Sequence, residues 1–175
     1  MAGTARGRAL EAPRGRSTRP TSDKIRGAVF NILGQFFAGG EVLDLYAGTG
    51  ALALEALSRG CARALCVERD RSAAEILRRN AAACGFAERV EVRAGPVEAL
   101  LERLPHGGFS LVFVDPPYAA GPGEALGRLG PLVAPGGRVV AEHDARRAPG
   151  ERYPGLVLED RRRYGSTGIS IYRAE

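Results

Sequence analysis

The chain has 175 residues, 45% of them hydrophobic and 26% charged, a size and balance that fit one domain with a core of its own. No run approaches the ~18 apolar residues that a membrane span requires, and the basic N-terminus lacks the apolar stretch of a secretory signal, so a cytoplasmic protein without a membrane partner is expected. The net charge is +5, and residues 1–30 hold Arg6, Arg8, Arg14, Arg16, Arg19, Lys24 and Arg26 against Glu11 and Asp23, a surplus equal to the whole net charge. A neutral body with a basic N-terminal arm points to an anionic partner such as nucleic acid, with those seven residues as candidate contacts; a merely solvating tail is the alternative. Cys61, Cys66 and Cys84 form no CxxC pair and the only histidines are His106 and His143, which predicts reduced, inert thiols and no metal site.

In chain order, residues 1–21 are rich in Gly, Arg, Pro and Thr and read as an arm with little core, leaving residues 22–175 as a single domain. A helix starts at Ser22 or Asp23, both acceptable N-caps, and places Ile25, Val29, Phe30 and Leu33 on one face before Gly39-Gly40. Strands are then expected at 42–45, 64–67, 90–93, 109–114 and 138–141. Helices are expected at 51–58, 70–84, 97–104 and 124–133. Segments 156–158 and 169–172 read as two closing strands in a hairpin. Strands alternating with helices predict a mostly parallel sheet covered on both faces, and the unalternating apolar run Phe109 to Val114 fits a strand buried on both sides. Ligands of such sheets bind beyond the carboxyl ends of the strands, which is where the motifs fall.

The first motif is Asp44-Leu45-Tyr46-Ala47-Gly48-Thr49-Gly50, between strand and helix. Its small residues allow close backbone approach, and the following helix N-terminus offers free N–H groups. Gly48, Gly50 and Ala53 also match the dinucleotide fingerprint, so an NAD-binding oxidoreductase is a rival. Asp44 at the strand end, with no Arg or Lys in the loop, suits a cationic or amine-bearing cofactor better than a pyrophosphate. Glu68, at the end of the second strand, can accept the hydroxyls of a ribose, which both cofactor types carry.

The second motif, Asp115-Pro116-Pro117-Tyr118, follows the fourth strand directly. Two prolines fix the backbone and remove two donors, leaving a cluster of acceptors beside an aromatic ring. That set suits an exocyclic base amine. Such an amine is a poor nucleophile because its lone pair is delocalised into the ring. Acceptors on its N–H groups localise the lone pair and stabilise the charge that develops during methyl transfer. Stacking of a base on Tyr118 is worth about 1–3 kcal/mol, comparable with the few kcal/mol that extruding a base costs. Aligning the reacting atoms supplies on the order of 7–11 kcal/mol. The candidate catalytic residues are therefore Asp115, Pro116, Pro117 and Tyr118, with no covalent nucleophile required.

Taken together, these motifs resemble the class I methyltransferases that act on exocyclic amines, using S-adenosylmethionine. The flanks are more specific. Arg19-Pro20-Thr21-Ser22-Asp23-Lys24-Ile25-Arg26, Val29-Phe30-Asn31-Ile32-Leu33, Glu55-Ala56-Leu57-Ser58-Arg59-Gly60 and Tyr164-Gly165-Ser166-Thr167 resemble the bacterial 16S rRNA guanine-N2 methyltransferase family RsmD. The resemblance implies a Rossmann-like α/β fold, a seven-stranded sheet with the last strand antiparallel and helices on both faces. It also implies transfer to the N2 of a guanine in 16S rRNA of the small ribosomal subunit or its assembly intermediate. Carried over to this chain, the cofactor-binding set is Asp44, Tyr46, Ala47, Gly48, Thr49, Gly50, Glu68, Arg69 and Gly95. Two departures stand out. Gly27 replaces the usual acid after Arg26, and Ala94-Gly95-Pro96 stands where an Asp usually meets the adenine, which shifts that role to backbone groups or Glu98.

Outside the motifs, Arg161-Arg162-Arg163 on a strand reads either as a face for RNA or as a solvated edge that resists pairing. His143 follows the fifth strand and reads either as a residue lining the site or, the simpler reading, as a structural histidine. Besides the oxidoreductase, the rivals are a DNA amino-methyltransferase, which 175 residues leave little room to equip with a target-recognition domain, and a catalytically silent RNA-binding protein. A monomer is the default.

Overall fold

The computed structural model describes residues 1–12, 23–117 and 119–175. Arg14, Arg16, Arg19, Ser22 and Tyr118 lie outside the described residues. Helix α1 spans Asp23–Leu33, followed by β1 (Glu41–Leu45), α2 (Ala51–Ser58), β2 (Arg63–Glu68), α3 (Arg71–Ala83), β3 (Val90–Ala94) and α4 (Val97–Leu101). Then come β4 (Phe109–Val114), α5 (Gly123–Leu129), β5 (Val133–Asp144), β6 (Arg152–Tyr153), β7 (Leu156–Tyr164) and β8 (Thr167–Ala174).

All eight strands form one sheet in the order β3-β2-β1-β4-β5-β8-β7-β6. β1 to β5 pair in parallel, while β8 runs antiparallel to both β5 and β7. The expected antiparallel last strand and closing hairpin are therefore present. The count is eight rather than seven, because the two-residue β6 pairs with the edge of β7. Strand order reverses between β1 and β4, so the crevice beyond their carboxyl ends is the topological switch point.

The core lies on both faces of the sheet because β1, β2 and β4 are apolar on both sides. One face packs Val42, Cys66, Phe113 and Ile171 against α1, α2 and α3. The other packs Leu43, Val67, Val112, Val114 and Tyr172 against α4 and α5. α1 contributes Val29, Phe30 and Leu33, as its spacing predicts, and the Phe30 ring meets Phe113 at 5.9 Å between centroids. α3 starts on Asp70, whose carboxylate accepts the N–H groups of Ser72 and Ala73, a cap that satisfies orphan donors. All three cysteines are buried and free. No helix among the described residues is long and apolar enough to cross a membrane.

Several expected boundaries shift: β5, β7 and β8 run longer than expected, to Asp144, Tyr164 and Ala174. α4 ends at Leu101, although Leu104 still reaches the core. α5 ends at Leu129, where Gly130-Pro131 breaks the helix into a 3-10 turn. Val133 belongs to β5, not to a helix: it pairs with Phe109, and Arg138 with Leu111, so residues 134–137 bulge out of the ladder.

The N-terminal segment differs more. Residues 1–12 do not stand off as an arm; they pack on α2 and α3. Ala5 is 2% exposed, and its N–H donates to Ser58 Oγ at 2.8 Å. The Ala2 N–H donates to Glu55 at 3.1 Å. Small residues permit this approach: Gly3 has φ +67°, and a Cβ there would sit 1.9 Å from the Ser58 carbonyl oxygen. Composition alone suggested a polar tail because its few apolar atoms are small, yet they fill a real seam.

Candidate active site

Four neighbouring parallel strands each deliver one carboxylate to the carboxyl edge of the sheet. In sheet order these are Glu68 from β2, Asp44 from β1, Asp115 just after β4, and Glu142 from β5. Asp44 feels the negative charge of both Glu68 and Asp115. It is 2% exposed, and burial, opposed by the Ala53 N–H that it accepts at 3.2 Å, pushes its carboxyl up to about 8.

The loop between β1 and α2 folds as its sequence requires. Tyr46, Gly48 and Gly50 all take left-handed backbone angles, and Tyr46 is the one non-glycine residue to do so among the described residues. Gly50 closes on the helix: a Cβ there would meet Leu77 Cγ at 2.8 Å. The Ala47 N–H donates to the Val67 carbonyl at 3.0 Å, and the Gly50 N–H to the Ala47 carbonyl at 2.8 Å. Glu68 accepts the Gly48 N–H and the Asp70 N–H, each at 2.7 Å. Its carboxylate thus fastens the loop to β2 as well as facing the crevice, and the two oxygens keep further acceptor capacity. Gly95 donates its N–H to the Glu68 carbonyl at 3.0 Å. Arg69 is exposed. The Tyr46 hydroxyl reaches Glu98 at 3.4 Å, and burial together with that acid pushes the phenol up to about 12.

Asn80 on α3 escaped the sequence reading. Its amide nitrogen donates to the Thr49 carbonyl at 3.0 Å and to the Glu11 carbonyl at 3.1 Å, while its oxygen accepts the Glu11 N–H at 2.8 Å. It braces the loop against the N-terminal segment. The only signal was a polar residue at an inward position of an amphipathic helix.

After β4, Pro116 is buried and Pro117 exposed, and the Pro117 carbonyl accepts the Ala120 N–H at 2.9 Å. A cavity of about 200 Å³ opens on this side, lined by Pro116, Ala119, Pro122, Glu142, Asp144 and Arg147 among others. It lies beside the Asp-Pro-Pro turn, away from the glycine loop. His143 also lines this cavity, with both ring nitrogens engaged inside the fold. Its ring bonds Ser170 Oγ and the Asp144 carbonyl, each at 2.9 Å, and burial lowers its basicity.

The basic residues divide. Arg6 and Lys24 are exposed. Arg8 donates to the Ala83 carbonyl at the end of α3, a favourable place for a cation. Arg26 is mostly buried and pairs with Asp23 at 2.9 Å and Glu55 at 3.7 Å. Arg8 and Arg26 thus already have carbonyl and carboxylate partners within the fold. On β7, Arg161 turns inward to Ser170, Arg162 pairs with Asp160 at 2.9 Å, and Arg163 bonds the Gly165 carbonyl.

A family model described as Conserved hypothetical protein 95 matches residues 1–173. The chain belongs to this family. A Bacillus subtilis member, YlbH, whose name describes it provisionally as an rRNA methyltransferase, is 36% identical over 99% of this chain and 97% of its own. The Escherichia coli protein named Ribosomal RNA small subunit methyltransferase D is 38% identical over 69% of this chain and 60% of its own. The solved structure of the Escherichia coli protein yhhF, titled provisionally as a methyltransferase, superposes with a TM-score of 0.83 at 30% identity, covering 100% of this chain and 96% of that one. These relatives bear out the resemblance to the RsmD methyltransferases, and with it the enzyme class and the Rossmann-like fold of this family member.

Proposed function

We propose that this methyltransferase moves a methyl group from S-adenosylmethionine to the exocyclic N2 of a guanine in 16S rRNA, within the small ribosomal subunit or an assembly intermediate. The observation that carries the reading is the row of carboxylates at the switch point, with a tight small-residue loop on one side and Asp115-Pro116-Pro117 on the other. The names of the Bacillus subtilis and Escherichia coli relatives support the rRNA substrate.

The residues fit the cofactor. Asp44, a buried acid whose carboxyl burial pushes up, is suited to the ammonium of an amino-acid moiety, whose charge stabilises the carboxylate form that burial disfavours. Glu68 suits a ribose, the small residues 47–50 let a ligand approach the backbone closely, and Tyr46, Arg69 and Gly95 follow the carboxyl ends of neighbouring strands. Bound there, S-adenosylmethionine supplies an electrophilic methyl group on sulfur. Asp115 and the Pro116 carbonyl accept the two N–H groups of the target amine, turning its lone pair out of the base plane. Asp115 also stands ready to take the proton that the alkylated nitrogen sheds. Tyr118 stacks on the extruded base. Arg6, Lys24, Arg14, Arg16 and Arg19 steer and hold the RNA backbone.

The test is radiolabelled methyl transfer to small subunits lacking the modification, with free rRNA and DNA in parallel, followed by nucleoside analysis. Label recovered as N2-methylguanosine is the expected result. Label on DNA, or on another nucleoside, overturns the substrate assignment, as does no label at all when calorimetry shows the cofactor bound. RNA affinity should fall with salt by roughly 0.7 log units per neutralised phosphate for each log unit of salt on a single strand. A flat response removes the basic residues from the interface.

A further inference from the structure

Methyl transfer uses Asp115 and its loop, but the cavity beside them has a second polar wall that the reaction itself does not require. β4 and β5 run parallel with Val114 opposite Ala141. The next residues, Asp115 and Glu142, therefore stand at the carboxyl ends of adjacent strands. Glu142 is 8% exposed and lines the same cavity as Pro116. At about 200 Å³, that cavity is smaller than the roughly 300–1,000 Å³ pockets that enclose whole drug-sized ligands, a scale suited to a single base.

We propose that Glu142 is the residue that selects guanine, by accepting the N1–H of the target base while Asp115 and the Pro116 carbonyl accept its N2–H groups. The inference rests on the proposed function and deepens it. Guanine presents two adjacent kinds of donor on its pairing edge, N2–H and N1–H. Adenine and cytosine each present a lone pair next to the amine. A carboxylate has only acceptors, about four lone-pair sites in all, so a contact within the protein leaves capacity for the base. Against a ring lone pair the same carboxylate loses the hydrogen bond and adds repulsion, so one residue both favours guanine and rejects the other amines. Arg147, on the same wall, has donors only and complements the guanine O6.

The wall is built to stay in place. Arg161 donates to the Pro149 carbonyl at 2.6 Å and to Ser170 Oγ at 2.9 Å. The Tyr172 hydroxyl donates to the Gly150 carbonyl at 2.7 Å. The loop after β5 is thus pinned to the closing hairpin, which gives the pocket the rigidity that discrimination by hydrogen bonds needs.

The experiment uses small subunits reconstituted with 16S rRNA that carries either guanine or 2,6-diaminopurine at the methylated position. Diaminopurine keeps the N2 amine but replaces N1–H with a lone pair and O6 with an amine. The wild-type enzyme should prefer guanine by on the order of 100-fold or more in kcat/KM, since a site built around a donor rejects an analogue lacking it. Glu142→Gln, whose amide can donate to the N1 lone pair, should lose about tenfold on guanine and narrow the preference to within roughly tenfold. Its affinity for S-adenosylmethionine, read by calorimetry, should match wild type and shows that the variant is folded. Equal use of both bases by the wild-type enzyme, or an unchanged preference in Glu142→Gln, overturns the role of Glu142 while leaving guanine methylation intact. Failure of the wild-type enzyme to methylate guanine-bearing subunits overturns the proposed function, and this selection with it.

Discussion

The two flanks of the catalytic edge are held by different means. On the β2–β1 flank, backbone amides close on carboxylates within short reach: Gly48 and Asp70 on Glu68, Ala53 on Asp44. On the β5–β8 flank, long side chains cross from the closing hairpin to pin a loop, with Arg161 on Pro149 and Tyr172 on Gly150, while His143 of β5 bonds Ser170 of β8. The first arrangement makes a tight concave seat for a small ligand of fixed shape. The second makes a wall whose position depends on residues far along the chain, suited to a substrate that arrives from outside. The chemistry proposed for Asp115 falls on the seam between them.

The largest effect should come from that seam. Asp115→Ala removes an acceptor aimed at developing positive charge, and a loss of about 10²–10³-fold in kcat is expected from the cost of deleting one preorganised electrostatic partner. Calorimetric affinity for S-adenosylmethionine should change less than about twofold, because Asp115 is not part of the amide-closed seat. A variant with near-normal turnover would remove Asp115 from the chemistry.

Glu68→Ala breaks the cofactor flank alone. It leaves the Gly48 and Asp70 amides without their carboxylate and takes away the proposed ribose acceptor. A loss of roughly 10- to 100-fold in cofactor affinity is expected, in line with about 1–3 kcal/mol for a buried hydrogen-bonding group left unmade. RNA affinity in filter binding should hold. Equal losses on both ligands would mean that the flanks are one cooperative unit.

Gly168→Ala breaks the other flank. A Cβ at residue 168 would lie 2.2 Å from the His143 ring, which forces that ring off Ser170 and loosens the cavity wall. Thermal unfolding should report a loss of about 1–3 kcal/mol, the usual cost of overpacking. KM for the RNA substrate should rise by roughly tenfold, while cofactor affinity of the folded fraction stays within about twofold. A rise in the cofactor Kd instead would contradict the division of labour.

The same contrast explains what was legible in the sequence. Asp44, Gly48, Gly50 and Glu68 were readable because their partners sit within a strand-turn-helix unit, where spacing alone fixes geometry. So was Asp115-Pro116-Pro117, which two prolines hold wherever it occurs. Glu142 was not, since a lone Glu within an apolar strand acquires meaning only when β4 is known to lie beside β5. Asn80 was hidden for the same reason, its partners Thr49 and Glu11 being 31 and 69 residues away. The partners of the basic residues were out of sight in the same way: Arg8 meets the end of α3 and Arg26 meets Glu55, contacts that charge counted along the chain does not reveal. The extra strand β6 is two residues long, too short to leave any periodicity.

The smallest effect is a pH slope confined to the cofactor flank. In the ligand-free fold the Asp44 carboxyl is raised from its usual 3.8 to about 8, chiefly by burial. Between those values the folded protein keeps a proton that the unfolded chain releases. Stability from this residue is thus fully present below about pH 4, declines as pH rises, and levels off above about 8. An ammonium bound beside Asp44 reverses the preference by favouring the carboxylate, so binding expels the proton. Cofactor affinity should then climb with pH between pH 6 and 7.5 and level off beyond about 8. Calorimetry in buffers of different ionisation enthalpy reads the released proton directly. Asp44→Asn, which keeps an acceptor for the Ala53 N–H but cannot titrate, should bind more weakly and with no proton release. A slope that survives in Asp44→Asn would assign the proton to a different group and leave Asp44 as a purely structural acid of the loop.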